Sequence, residues 1–174
     1  MKKISNEELG RPTVAEYTRM DKKGIVVVLD NVRSLNNVGS FFRTCDAFAV
    51  EAVYLCGITA TPPDREIHKT ALGAELSVAW EYFPDTAGAV RALGDKGYRT
   101  VAVEQVEGAV MLPDYKIEKG EKYALVFGNE VDGVGQEIVD MCREAIEIPQ
   151  TGTKHSLNVA VSGGIALWHF YCGL

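Results

Sequence analysis

Short runs of β-branched and aliphatic residues, each ending in a polar or glycine-rich loop, alternate along this chain with stretches of helical periodicity. That alternation limits the fold more than any other feature. Ile25–Asp30 is a continuous apolar run closed by a carboxylate, the pattern of a strand buried on both faces. Val38, Phe41, Phe42, Cys45, Phe48 and Ala49 then recur at helical spacing, and Ala52–Cys56 reads as the next strand. The Pro62-Pro63 loop leads to a short helix around Asp64–Leu72. Thr86–Leu93 is helical, Thr100–Glu104 a strand, and Tyr123–Phe127 another buried strand that stops at Gly128. Gln136–Cys142 follows as a helix and Ala145–Ile148 as a short strand. Leu157, Val161, Ile165, Trp168 and Cys172 mark the last helix. Ahead of all this, residues 5–20 suggest a short helix with a Ser5/Glu8 capping box, broken or restarted at Pro12. Strands alternating with helices predict an α/β fold: a mostly parallel sheet with helices on both faces.

The 174 residues suit one domain, with 1–24 as an N-terminal segment and 25–174 as the folded unit. The longest purely aliphatic run is Ile25–Leu29, far short of the roughly 20 residues a membrane-spanning helix needs. The N-terminus has basic residues but no apolar stretch after them, so it does not read as a signal peptide. Cys45, Cys56, Cys142 and Cys172 form no CxxC pair, which argues against a compact zinc or redox motif. They are expected as reduced thiols in the cytoplasm. Charge is uneven: residues 1–100 carry 13 basic and 13 acidic side chains, residues 101–174 carry 5 and 11. A nucleic-acid binder of this composition has to use a local basic patch in the first half.

In parallel α/β folds ligands bind beyond the carboxyl ends of the strands, so three loops draw the functional search: 30–40, 128–135 and 149–158. In the first, Val38, Phe41, Phe42, Cys45 and Phe48 share one helical face. Arg43 falls roughly 140° from Val38, beside Asn36 and Ser40. Arg43 is either a solvated surface residue or a permanently charged fork able to grip phosphate, and Asn37 stands where an Asn side chain can cap a helix. The second loop has three glycines in eight residues, with Glu130 and Asp132. It matches neither the dinucleotide nor the Walker pattern. It reads as a plain strand-to-helix turn capped by a carboxylate, or as backbone built to approach a ligand. In the third, Ser156 is a candidate helix cap and Asn158 a polar first-turn residue. His155 beside Ser156 makes a poor nucleophile and base pair, and no GxSxG elbow accompanies them.

Taken together the loops are similar to a known set. NNVGSFFRTCDAF, LVFGNEVDGVGQEI and IPQTGTKHSLNVAVSGGIAL resemble, in order, the three motifs of the SpoU (TrmH) family of the SPOUT superfamily. Those are S-adenosylmethionine-dependent RNA ribose 2′-O-methyltransferases. The likeness runs from about Ile25 to the C-terminus. It implies a SPOUT-type α/β knot with a C-terminal trefoil, a homodimer, an RNA site across the dimer interface, and tRNA or rRNA as substrate, with no metal, no membrane and no DNA partner. Arg43 matches the proposed catalytic arginine, and Asn37, Glu130, Ser156 and Asn158 match the other motif positions. By position, Glu104, Gly128, Ile148, Ser156 and Leu157 fall on the cofactor loops, and Arg43, Arg33 and Lys154 are placed to contact RNA. The Lys154-His155 pair before Ser156 and the acidic C-terminal half depart from an ordinary RNA enzyme. Arg11, Arg19, Lys22, Lys23, Arg33 and Lys69 are left to form the RNA surface. Two other readings compete: an RNA-binding protein of the same fold without activity, and a dinucleotide-dependent oxidoreductase, which would lack the glycine fingerprint after its first strand.

Overall fold

The structure, a computed structural model, describes residues 1–5 and 7–174. In chain order the described residues form α1 (Val14–Arg19), β1 (Ile25–Asp30), α2 (Leu35–Ala47), β2 (Ala52–Cys56), α3 (Arg65–Ala71), β3 (Ala79–Phe83) and α4 (Thr86–Asp95). Then come β4 (Tyr98–Val103), β5 (Val110–Met111), β6 (Lys122–Phe127), α5 (Gln136–Met141), β7 (Glu144–Glu147) and α6 (Val159–Gly173). The strands make one sheet in the order β3-β2-β1-β6-β4-β7-β5. Every pairing is parallel.

The central pair explains the apolar runs. β1 aligns with β6 from Ile25 opposite Tyr123 to Leu29 opposite Phe127, and all six residues of β1 are buried. Ile25, Val27 and Leu29 face a core shared with α2, α3 and α6, whereas Val26 and Val28 face a second core under α4 and α5. A strand covered on both faces has no polar side to show, and each aliphatic side chain so buried contributes about 1.5–3 kcal/mol.

The helices are placed by their apolar faces. α2 buries Val38, Phe41, Phe42 and Cys45 and leaves Asn36 and Arg43 exposed, as the wheel predicts. α6 lies against α2 at Gly163, where a Cβ would come within 2.3 Å of the Phe41 ring. Its other side carries exposed Val161, Ile165 and Trp168. Among the described residues no helix is long and apolar enough to cross a membrane. All four cysteines are free, and burial pushes the Cys56 and Cys142 thiols up to about 12, so neither is a nucleophile at neutral pH.

Several expectations need correction. The helix over 5–20 is only Val14–Arg19, capped by a Thr13/Glu16 box. Ser5 and Glu8 do exchange the two hydrogen bonds of a capping box, but residues 7–10 form a turn rather than a helix, and residue 6 of that span lies outside the described residues. Strand β3 has no counterpart in the sequence reading because it is an exposed edge with nearly no buried side chain. β5 is only two residues long. Asn37 is not the cap of α2; Ser34 is, accepting the Asn37 N–H at 3.3 Å. Ser156 does not cap α6; Asn158 does, accepting from Ala160 and Val161. No carboxylate of the 128–135 loop caps α5, whose N-cap is Gly135.

Candidate active site

Because all strands run one way, the loops after β1, β4, β6 and β7 gather at the same end of the sheet. A cavity of about 520 Å³ lies there, within the roughly 300–1,000 Å³ usual for small-molecule sites. Its wall comes from three segments. Val103 ends β4 and Glu104 and Gln105 follow it, Phe127 ends β6 and Gly128 through Gly133 follow it, and Ile148, Gln150 and His155 through Val159 come after β7. All five residues expected on the cofactor loops, Glu104, Gly128, Ile148, Ser156 and Leu157, line it.

The loop after β6 is folded tightly on itself. Asn129 and Gly133 exchange backbone hydrogen bonds, each 3.1 Å. A Cβ at Gly128 would lie 1.8 Å from the Gly133 carbonyl carbon and 2.0 Å from the Val134 nitrogen. Only glycine allows the chain to return over its own strand end at that distance. Gly133 adopts φ +69°, a left-handed conformation that costs L side chains about 1–2 kcal/mol. The glycines therefore serve the loop's own closure, and the closed loop presents its backbone to the cavity.

Beside the cavity, which Glu130 and Asn158 line, a hydrogen-bonded chain links all three motifs. The Glu130 carboxylate accepts from the backbone N–H groups of Arg33 and Ser34, both at 3.2 Å, and from Asn37 Nδ2 at 2.8 Å. Asn37 Oδ1 in turn accepts from Asn158 Nδ2 at 3.1 Å. Asn158 Oδ1 holds the first amides of α6. Burial pushes the Glu130 carboxyl up, but the Asn37 amide and the backbone N–H groups outweigh it, so the carboxyl ionises below its ordinary range. A carboxylate fixed as an anion sets the Asn37 amide with nitrogen toward it and oxygen toward Asn158. Within the cavity wall, Gln105 Nε2 donates to the His155 carbonyl at 3.1 Å.

Other expected residues stand apart. Arg43 is exposed and is not in the cavity wall. Six residues beyond Asn37, it lies about 9 Å further along α2 and roughly 120° round it. Arg33 meets Glu130 through its backbone alone, and Lys154 is exposed. His155 does line the cavity. Gln105 was not expected; its place directly after a strand ending in Glu104 was the available signal. Asp30, at the end of β1, opens the 30–40 loop, but the sequence assigns it no role of its own.

Comparison with known proteins agrees with this arrangement. The model of the SpoU rRNA Methylase family matches residues 24–168. The tRNA (guanosine(18)-2'-O)-methyltransferase of Thermus thermophilus is 30% identical over 92% of this chain and 81% of its own length. The 23S rRNA (guanosine-2'-O-)-methyltransferase RlmB of Vibrio cholerae is 31% identical over 92% of this chain and 64% of its own. Among solved structures, the AdoMet-bound rRNA methyltransferase of Sinorhizobium meliloti superposes with a TM-score of 0.79 at 27% identity, covering 90% of this chain and 62% of that one. The chain thus spans just under two thirds of the length of several longer relatives. With three motifs joined by one hydrogen-bonded chain around one cavity, and a family model covering nearly the whole sequence, the chain belongs to the SpoU rRNA methylase family.

Proposed function

We propose that this protein is an S-adenosylmethionine-dependent RNA methyltransferase that modifies a ribose 2′-OH of tRNA or rRNA and works as a homodimer. The Glu130–Asn37–Asn158 chain beside the cavity carries the reading. The cavity suits the cofactor: backbone of the Gly128–Gly133 turn offers polar groups, and Val103, Ile148 and Leu157 offer apolar surface for a purine. When bound, S-adenosylmethionine supplies a methyl group already activated by its sulfonium. The protein's task is then positioning and charge. Glu130 and Asn158 lock Asn37, and with it the start of α2, against the loops that form the cavity, so the approach of a hydroxyl is defined before substrate arrives.

Arg43 is proposed as the group that stabilises the developing ribose oxyanion or grips the adjacent phosphate. A guanidinium keeps its proton at any working pH, so charge stabilisation suits it better than base action. Its position outside its own chain's cavity supports a site completed by a second copy. The exposed apolar side of α6 supports the same reading: Val161 at 51%, Ile165 at 39% and Trp168 at 56% exposure form one stripe of the kind that marks interfaces. The test is transfer of labelled methyl from S-adenosylmethionine to unmodified tRNA and rRNA. Incorporation is expected into one of them. With Arg43→Ala it should fall a hundredfold or more, the order for losing a preorganised charge, while cofactor binding is retained. Equal turnover by the variant refutes the assignment.

A further inference from the structure

We propose that Asp30 and Glu104 are positioning residues that hold the 128–135 loop in its cofactor-receiving shape, one from each side; this rests on the cavity being the S-adenosylmethionine site. The argument starts from strand order. β6, which carries the loop, lies between β1 and β4. The last residue of β1 is Asp30 and the first residue past β4 is Glu104. Each neighbouring strand therefore ends in a carboxylate at the level where the loop leaves β6.

The two carboxylates take consecutive backbone amides of that loop. Glu104 Oε2 accepts the Val134 N–H at 2.9 Å and Asp30 Oδ2 accepts the Gly135 N–H at 3.3 Å. The second oxygen of each is held on its own side. Glu104 Oε1 accepts the Gln105 N–H at 2.8 Å. Asp30 Oδ1 accepts from Thr86 Oγ1 at 2.5 Å and Asn31 Nδ2 at 2.8 Å. Asp30 is 4% exposed, and among the described residues neither carboxylate forms an ion pair. Burying a carboxylate is costly unless hydrogen bonds replace its water, and here backbone and neutral side chains make that replacement.

The loop needs such anchors. Asn129, Asp132 and Gly133 line the cofactor cavity on one side and a second hollow, which Asp30 and Thr86 also line, on the other. The loop is a thin wall between two spaces, so packing alone cannot fix it. The fit at Glu104 is close: a Cβ on Gly133 would approach its Oε2 to 2.1 Å. Every oxygen of both carboxylates already accepts a hydrogen bond from the protein, and their proposed effect passes through the loop backbone. A wall held in its bound shape spares the ligand the cost of ordering it.

The experiment is calorimetric titration of S-adenosylmethionine and of its product, S-adenosylhomocysteine, into wild type, Asp30→Asn, Glu104→Ala and Glu104→Gln, beside methyl-transfer kinetics. Glu104→Ala should weaken both ligands by the same factor, about tenfold, the order for one lost charge-assisted hydrogen bond. The kcat at saturating cofactor should stay within about threefold, a change too small for a residue acting on the reacting atoms. Glu104→Gln, which keeps an acceptor, should recover part of the loss, and Asp30→Asn should behave alike. Amide exchange in the wild-type protein gives a readout independent of variants: Val134 and Gly135 should be protected. Unprotected amides, unchanged affinity in folded variants, or weakening of the charged sulfonium ligand alone would each overturn the proposal. Failure of wild type to bind either ligand would instead overturn the reading of the cavity on which it depends.

Discussion

Placing a single methyl group at residue 128 should dismantle the cavity proposed for S-adenosylmethionine without touching the hydrophobic core. In Gly128→Ala the new Cβ would sit 1.8 Å from the Gly133 carbonyl carbon and 2.1 Å from its oxygen. Both neighbours are backbone and cannot rotate away. Ordinary carbon–carbon contact begins near 3.5 Å, so the turn has to retreat by roughly 1.7 Å. That movement breaks the paired Asn129–Gly133 hydrogen bonds and the one from Val134 to Glu104. At about 1 kcal/mol each, the three amount to about 3 kcal/mol. Referred to the cofactor-receiving shape of the loop, this is a loss of about two orders of magnitude in affinity. Calorimetry with S-adenosylmethionine, beside circular dichroism to establish that the sheet is intact, measures it. A folded Gly128→Ala protein with wild-type affinity would refute both the steric argument and the cavity's assignment.

Acid should act through Glu130. Its carboxyl ionises more readily in the fold than in the open chain, so the contribution is present above the unfolded value, about pH 4.3. It is lost as pH falls through the lower folded value. Wild type should therefore lose its stability advantage over Glu130→Gln on melting as pH falls below about 4.3, and a gap that stays constant on acidification would refute the link. Light scattering should give a mass near twice 19.0 kDa, with Trp168→Glu shifting the protein toward monomer and removing methyl transfer; an active wild-type monomer would sink the shared site. Gly94→Ala, in the last turn of α4 with nothing within 4 Å of the new Cβ, should stabilise the fold by about 0.5–1 kcal/mol, read as a higher melting temperature.

Where side chains are buried on both faces, the sequence spells out its structure. β1 and β2 run over the same residues in the reading and in the fold, because their apolar composition leaves no other environment. β3 shows the converse. Ala79 through Tyr82 are exposed on a sheet edge, so nothing in their pattern demands a strand, and its place is fixed by backbone pairing with β2. The site divides the same way. Resemblance to a family selected Asn37, Glu130 and Asn158, but their mutual hydrogen bonds join residues 93 and 121 positions apart, which no local spacing reveals. The caps were misplaced for a related reason. Ser34 and Asn37, and Ser156 and Asn158, are each close pairs of good capping residues; Asn37 is turned to Glu130 and leaves the cap to Ser34, whereas Asn158 caps α6 with its oxygen while its nitrogen reaches Asn37.

The pairing at the centre of the sheet has a consequence for the order of events in biosynthesis. β1 completes one edge with β2 a few dozen residues later, but its other edge waits for β6, whose Tyr123 aligns with Ile25. Closing a loop of nearly 100 residues costs about 4 kcal/mol of chain entropy, and such non-local topology folds slowly. Each wall of the cavity hangs from β4, β6 or β7, so no nascent chain shorter than most of the protein can hold the ligand. Ligand present during synthesis then cannot template early steps. It can only trap the finished arrangement by mass action, raising stability by an amount set by its concentration relative to its dissociation constant.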